Sequence, residues 1–122
     1  MMDNFYEKLN EECDVRFPYP NEQDWEWCAG DYTHTNDYIE FYKFYAAATD
    51  DWQKHLLINM IVQGIEDLME QSEDRAYIHM LWSKVKEILI NDKHRDTIVY
   101  WSCIGQELED CWLISSNMRE LL

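Results

Sequence analysis

Glycine and proline are scarce in this sequence, with three glycines and two prolines among 122 residues. Because β-sandwiches and barrels need many tight turns, this scarcity argues against a turn-rich β fold. No uninterrupted apolar run reaches the roughly 20 residues that span a bilayer, so we expect no membrane contact of that kind. Hydrophobic residues still make up 47% of the chain, which predicts one folded domain over residues 1–122.

Basic residues are also few, since ten lysines and arginines stand against 25 acidic residues and give a formal net charge of −15. Such a surface repels phosphate groups, so we expect neither nucleic acid nor an anionic membrane as a partner. Residues 1–52 hold thirteen of the acids and three of the bases, a net charge of −10, against −5 in the rest. This asymmetry favours either simple solubility or steered contact with a basic protein.

Motifs for catalysis and for cofactor binding are missing. The glycines at 30, 64 and 105 stand alone, so no phosphate-binding loop is formed from them. No CxxC pair and no His-Glu-x-x-His motif occurs, which argues against zinc sites and helical-bundle metal centres. Carboxylate pairs are so abundant that no glycosidase-type pair stands out. We therefore expect no enzyme activity, no metal site and no cofactor.

The four cysteines are Cys13, Cys28, Cys103 and Cys111. Neither a basic stretch nor an apolar run typical of a secretion signal opens the sequence, so we expect a cytoplasmic location. A reducing compartment keeps thiols free. The sequence therefore predicts four free and mostly buried thiols.

Helical periodicity runs through most of the chain and predicts an all-α fold, a compact bundle of about five helices with an irregular N-terminal loop. The stretch 50–71 has the widest apolar face, which includes Trp52, Ile58 and Val62, so we expect it to be contacted from several directions. The other predicted helices cover 3–12, 35–48 after an N-cap at Thr35, 75–90, 97–112 and 118–122.

Residues 97–104 leave an alternative open. Ile98, Val99, Tyr100 and Trp101 form a β-prone run, and a strand there would make the fold α+β. A helical period extends from this run to Trp112, so helix is preferred. Because 50–90 and 95–122 read as successive helical hairpins, stacked hairpins are a second possible arrangement.

The segment 15–33 contains both prolines and is predicted to be irregular. It combines tryptophans, which anchor interfaces, with carboxylates that pair with arginine and lysine. The alternative is that Trp25 and Trp27 only cover one end of the core. Tyr38 is expected outside the core, whereas Phe41, Tyr42 and Tyr45 share a helix face expected inside it. The predicted partner-binding residues are Asp24, Trp25, Glu26, Trp27, Asp31, Tyr32, Asp37, Tyr38 and Glu40.

These features favour a small acidic inhibitor, similar in character to an immunity protein, that neutralises a basic toxin. A nuclease is the expected toxin, because nucleases carry cationic clefts for their substrate. One alternative is a phage-type nucleic-acid mimic that inhibits a host defence nuclease. Another is a helical adaptor subunit that uses its aromatic surface as a permanent interface.

Overall fold

The computed structural model describes residues 32–45 and 49–122. Those ranges contain helices and loops but no strand, which confirms the predicted all-α class. The α+β alternative is wrong because residues 97–102 lie within a helix. The α-helices are α1 (Thr35–Tyr45), α2 (Asp51–Gln71), α3 (Arg75–Asn91), α4 (Arg95–Ser102) and α5 (Ser115–Arg119), and 3₁₀ turns occupy Tyr32–His34 and Leu108–Asp110.

The chain divides into two compact units, Met1–Gly64 and Ile65–Leu122, and α2 belongs partly to each. The helix predicted over residues 3–12 lies outside the described residues, as does most of the irregular segment predicted over 15–33. The proposal of one domain stays a prediction.

Helix α2 is buried around its whole circumference in its middle. All seven residues from 56 to 62 are buried, and seven consecutive residues cover nearly two turns of an α-helix. A helix that is apolar on nearly every side is expected to be enclosed, so the prediction that this stretch is contacted from several directions is confirmed for residues 56–62. Trp52 is the exception to the predicted face, since 55% of its surface is exposed in the first turn.

A reciprocal capping box starts α2. The Gln53 backbone N–H donates to Asp50 Oδ1 over 2.8 Å, and the Asp50 backbone N–H donates to Gln53 Oε1 over 3.1 Å. This arrangement satisfies two backbone donors at the helix entrance. Asp50, which lies directly before the first helical residue, is therefore the N-cap of α2.

Within the first unit, Gly64 of α2 lies against Thr35, the first residue of α1. A Cβ placed on Gly64 would collide with the Thr35 hydroxyl. That hydroxyl donates a 2.7 Å hydrogen bond to the carbonyl oxygen of Tyr32, so it is held where it is. The glycine is therefore required by the close approach of the two helices.

Helix α3 confirms the prediction over 75–90 with one additional residue at its end. Asp74 caps its start, accepting from the Tyr77 backbone N–H over 3.1 Å. Lys93 ends the following turn in the left-handed region at φ 56°, where the His94 N–H donates to the Leu89 carbonyl.

The C-terminal part differs most from the predicted helices. Helix α4 stops at Ser102, because Cys103 takes a left-handed conformation at φ 55° and Gly105 follows at φ 91°. The predicted continuation of this helix to residue 112 is therefore wrong. Helix α5 also begins at Ser115, three residues before the predicted start.

Cys103 and Cys111 form a disulfide, with their Cα atoms 6.0 Å apart. The prediction of free thiols is wrong for this pair. The loop between them turns the chain back on itself and brings together two cysteines that a continuous helix would have separated by more than 10 Å. Cys13 and Cys28 lie outside the described residues.

Candidate functional site

Four of the nine predicted partner-binding residues belong to the described part of the chain: Tyr32, Asp37, Tyr38 and Glu40. The other five lie outside it. They are Asp24, Trp25, Glu26, Trp27 and Asp31.

Two of the predicted acidic residues lie one turn apart on the exposed side of α1. Asp37 is 53% exposed and lies in the first turn, where the helix dipole favours a negative charge. Its Oδ2 is 3.0 Å from Nδ1 of His34, which belongs to the preceding 3₁₀ turn. Glu40 follows at three-residue spacing and is exposed as well. A partner approaching this side of α1 would meet both carboxylates.

The two predicted tyrosines behave differently. Tyr32 is half-buried, and its carbonyl oxygen anchors the Thr35 hydroxyl at the start of α1. Tyr38 is completely buried, so the expectation that it lies outside the core is wrong. Residues 38, 41 and 42 share one helix face and are all buried, which confirms the core prediction for Phe41 and Tyr42. The burial of Tyr38 follows from the helix face that it shares with residues 41 and 42, and the nearby acidic residues Asp37 and Glu40 did not indicate it.

A second exposed region, which sequence reasoning missed, lies in the second unit around the Cys103–Cys111 loop. We call residues 103–111 the disulfide loop. Its apolar side chains Ile104 and Leu108 are 59% and 48% exposed. Its carboxylates Glu107, Glu109 and Asp110 are exposed too, and the loop contains no basic residue. The separation of eight residues around a glycine was the sequence signal that could have indicated this loop.

Aromatic rings flank the disulfide loop. The rings of Tyr100 and Trp112 have centroids 5.3 Å apart, and those of Trp101 and Trp112 are 4.7 Å apart. Trp101 is completely buried, whereas Tyr100 is 52% exposed. The cluster therefore extends from the core of this unit to its surface, and Trp112 lines the same pocket as Cys103, Asp110 and Cys111.

Arg119 of α5 holds the disulfide loop by hydrogen bonds to its backbone. Its Nε donates to the Ser102 carbonyl over 2.8 Å, and its Nη2 donates to the carbonyls of Cys103 and Gln106, also over 2.8 Å. The same Nη2 lies 3.8 Å from Cys111 Sγ. One guanidinium thus binds the end of α4 and two positions of the loop, a task that suits its planar fork of donors.

Glu66 of α2, also in the second unit, binds backbone groups just before α5. Its two carboxylate oxygens accept hydrogen bonds from the backbone N–H groups of Leu113 and Ile114, over 3.1 and 2.9 Å. Burial raises the pKa of Glu66, the two backbone hydrogen bonds oppose that rise, and neighbouring Glu70 adds to it. These contacts, which cross more than 40 residues of sequence, position the start of α5.

Among the described residues, no group of three His, Cys, Asp or Glu side chains is arranged to hold a metal ion. Across 32–45 and 49–122, no helix is long and apolar enough to cross a membrane. No protein-family model, curated protein or solved structure matches the chain.

Proposed function

We propose that this protein is a small acidic inhibitor of the immunity-protein kind, which binds and neutralises a basic toxin, with a nuclease as the expected target. The observation that carries the proposal is the concentration of negative charge, a net −10 within residues 1–52. The exposed Asp37 and Glu40 on α1 support it, because they offer carboxylates to an approaching cationic surface.

The proposed interface comprises the predicted acidic and aromatic residues without Tyr38. Carboxylates at such an interface accept bidentate hydrogen bonds from arginine, and tryptophan rings stack on guanidinium groups. Electrostatic steering would make association fast, and aromatic packing would make dissociation slow. Inhibition of this kind needs no catalytic group and no cofactor in the inhibitor.

The test is a charge reversal of five acids to lysine at Asp24, Glu26, Asp31, Asp37 and Glu40. We expect the variant to fold, to lose capture of a basic partner and to lose protection of cells against that partner. The readouts are circular dichroism, co-purification at low salt and survival of cells that express the partner.

A matched control reverses five exposed acids elsewhere, so that the change in net charge is the same. The control positions are Glu73, Glu87, Asp92, Asp96 and Glu120. Under the proposal, this control keeps capture and protection. Equal loss in both variants would mean that net charge alone matters, and retention of protection by the first variant would contradict the assigned surface.

Two alternatives make different predictions in the same assay. A nucleic-acid mimic would bind several unrelated basic proteins and would release all of them as salt rises, because its attraction is mainly charge. A helical adaptor is favoured by the exposed apolar side chains of Ile104 and Leu108. It would retain its partner after both charge reversals, because apolar burial dominates permanent interfaces.

The cytoplasm is the proposed location. The Cys103–Cys111 disulfide must then be compatible with a reducing compartment. Disulfides of cytoplasmic proteins in mesophiles are usually transient, since cellular thiols reduce them. A cytoplasmic inhibitor of this sequence would therefore hold this disulfide reversibly.

A further inference from the structure

The two cysteines of the Cys103–Cys111 disulfide line a pocket that is open to solvent. An open pocket of about 320 Å³ is lined by Cys103, Asp110, Cys111 and Trp112. Both cysteines are half-buried, so neither is sealed in the core. A molecule of a few heavy atoms fits a volume of this size, and its sulfur could reach the disulfide.

The two sulfur atoms have different surroundings. Arg119 Nη2 lies 3.8 Å from Cys111 Sγ, and the Cys103 carbonyl oxygen lies 3.5 Å from the same sulfur. A guanidinium stabilises a neighbouring thiolate. After reduction, a protonated Cys111 thiol could donate to that carbonyl instead. Both forms of a released Cys111 therefore have a partner already in place.

We propose that the Cys103–Cys111 disulfide is a thiol-exchange site at which a small cationic thiol attacks Cys103 and expels Cys111. The thiolate of the incoming molecule forms a bond to Cys103 Sγ as the bond between the two protein sulfurs breaks. The electron pair of the broken bond leaves with Cys111 Sγ, beside Arg119. The product is a mixed disulfide on Cys103 and a thiolate on Cys111.

A second molecule of the same thiol completes the reduction. It attacks the sulfur of the first molecule, and Cys103 leaves as a thiolate that takes a proton from water. Two small thiols are thereby oxidised to one disulfide, and the protein disulfide is reduced to a thiol at Cys103 and a thiolate at Cys111, with one proton released to solvent. No metal and no further reactant takes part.

The charges of the disulfide loop select the class of thiol. Asp110 lines the pocket, and Glu107 and Glu109 are exposed in the same loop. These carboxylates attract an ammonium group and repel a carboxylate. Arg119, the cation beside the disulfide, is hydrogen-bonded to loop carbonyls and lies next to the leaving sulfur. An aminothiol therefore fits the pocket better than a mercaptocarboxylate does.

Reduction would open the covalent link without removing the other contacts that hold the loop. The bonds from Arg119 to the carbonyls of Ser102, Cys103 and Gln106 do not involve the sulfur–sulfur bond. The reduced loop therefore stays near its oxidised position, and the cysteines stay close enough to pair again. Such an arrangement suits a reversible disulfide.

The first measurement locates the attack in the oxidised full-length protein. Cysteamine is added, the reaction is stopped early with an alkylating reagent, and digestion with trypsin and a glutamate-specific protease separates Cys103 from Cys111. We expect cysteamine on Cys103 and the alkyl group on Cys111. The reverse pattern would overturn the proposal, as would the absence of the Cys103–Cys111 link in the oxidised starting protein.

The second measurement tests the role of Arg119 as a positioned cation. Arg119→Gln should slow exchange with cysteamine by about fivefold or more, because the leaving thiolate loses its charge partner. Arg119→Lys should keep a rate close to that of the unaltered protein. The matched control is Arg95→Gln, which removes an exposed arginine from the same unit. An unchanged or faster rate in Arg119→Gln, or an equal loss in the control, would contradict this role.

The third measurement tests the selectivity for thiols. The rate with cysteamine is divided by the rate with 3-mercaptopropionate, and this ratio is compared between the unaltered protein and a Glu107→Gln, Glu109→Gln, Asp110→Asn variant. Comparison of ratios cancels the intrinsic reactivity of each reagent. We expect the variant to lower the ratio by about threefold or more, since three nearby carboxylates are neutralised. An unchanged ratio would refute the preference for cationic thiols.

Discussion

At the scale of single residues, Glu66 shows how a buried carboxylate can organise a backbone turn. Its oxygens accept hydrogen bonds from the backbone N–H groups of Leu113 and Ile114, which directly precede α5. Only 3% of its surface is exposed, and burial outweighs those hydrogen bonds enough to raise its pKa. The folded protein therefore holds a proton on Glu66 more tightly than the unfolded chain does.

This raised pKa predicts a pH dependence with a defined sign. Protonated Glu66 contributes stability that is fully present below the unfolded-state pKa and is lost as pH rises through the higher folded-state pKa. The free energy of unfolding of the unaltered protein should therefore fall relative to that of Glu66→Gln as pH rises across that interval. Urea denaturation at a series of pH values measures the difference.

Glu73→Gln is a suitable control for this experiment, because Glu73 is exposed and lies in the same unit. Its difference from the unaltered protein should not vary in the same way with pH. A rise in the stability of the unaltered protein relative to Glu66→Gln over that interval would contradict the pKa direction.

At the scale of secondary-structure elements, the approach of α1 to α2 depends on Gly64. Alanine there would gain about 1 kcal/mol of helix propensity, but its methyl group would meet the buried Thr35 side chain. Threonine is branched at Cβ, so it has few alternative rotamers, and rotation would break its hydrogen bond to Tyr32.

We therefore expect Gly64→Ala to lower the free energy of unfolding by about 1–3 kcal/mol, despite the gain in propensity. Thr35→Ala in the same chain should remove the collision, so the double variant should lose less than the sum of the single losses. Chemical denaturation of the four proteins measures the coupling. Additive losses would show that Gly64 is needed for another reason.

The ends of the helices show which boundaries the sequence pattern could predict. Helices α2 and α3 were predicted within one residue at each end, because Asp50 and Asp74 carry capping side chains and long apolar faces follow them. The end of α4 was not predicted, since the periodicity of apolar residues continues past Ser102. The disulfide, the left-handed Cys103 and the bonds from Arg119 favour a loop there.

At the scale of the whole molecule, the net charge of −15 is the property on which the proposed function rests. Charges separated by more than about 8–10 Å interact little at physiological ionic strength, so the net charge acts mainly during approach to a partner. Contact residues then determine how long a complex lasts.

This separation predicts different salt effects on the two rates of binding to a co-purified basic partner. When salt rises from about 0.05 to about 0.5 M, the association rate should fall by roughly tenfold or more, while the dissociation rate changes little. Surface plasmon resonance at several salt concentrations measures both. A dissociation rate that rises as steeply as the association rate falls would instead favour a nucleic-acid mimic.

For the candidate site, the sequence predicted exposure correctly only where the position of a residue around the helix and the polarity of its neighbours gave the same answer. Asp37 and Glu40 are exposed as expected, whereas Tyr38 between them is buried. An acidic neighbour in sequence lies about 100° away around a helix, so it says little about the side on which a tyrosine lies. The position of residue 38 relative to 41 and 42 was the better indicator.

The sequence by itself determined the helical class, the enclosed middle of α2 and the imbalance of charge. Each of these follows from composition or from spacing over a few residues, and helical periodicity and capping act over that range. Only the tertiary structure decided the pairing of Cys103 with Cys111, the attachment of Arg119 to three carbonyls and the contact of Glu66 with residues 113 and 114. Those interactions depend on where the folded backbone places the groups. The spacing of the two cysteines around Gly105 is compatible with a closed loop, but spacing alone does not determine whether they pair.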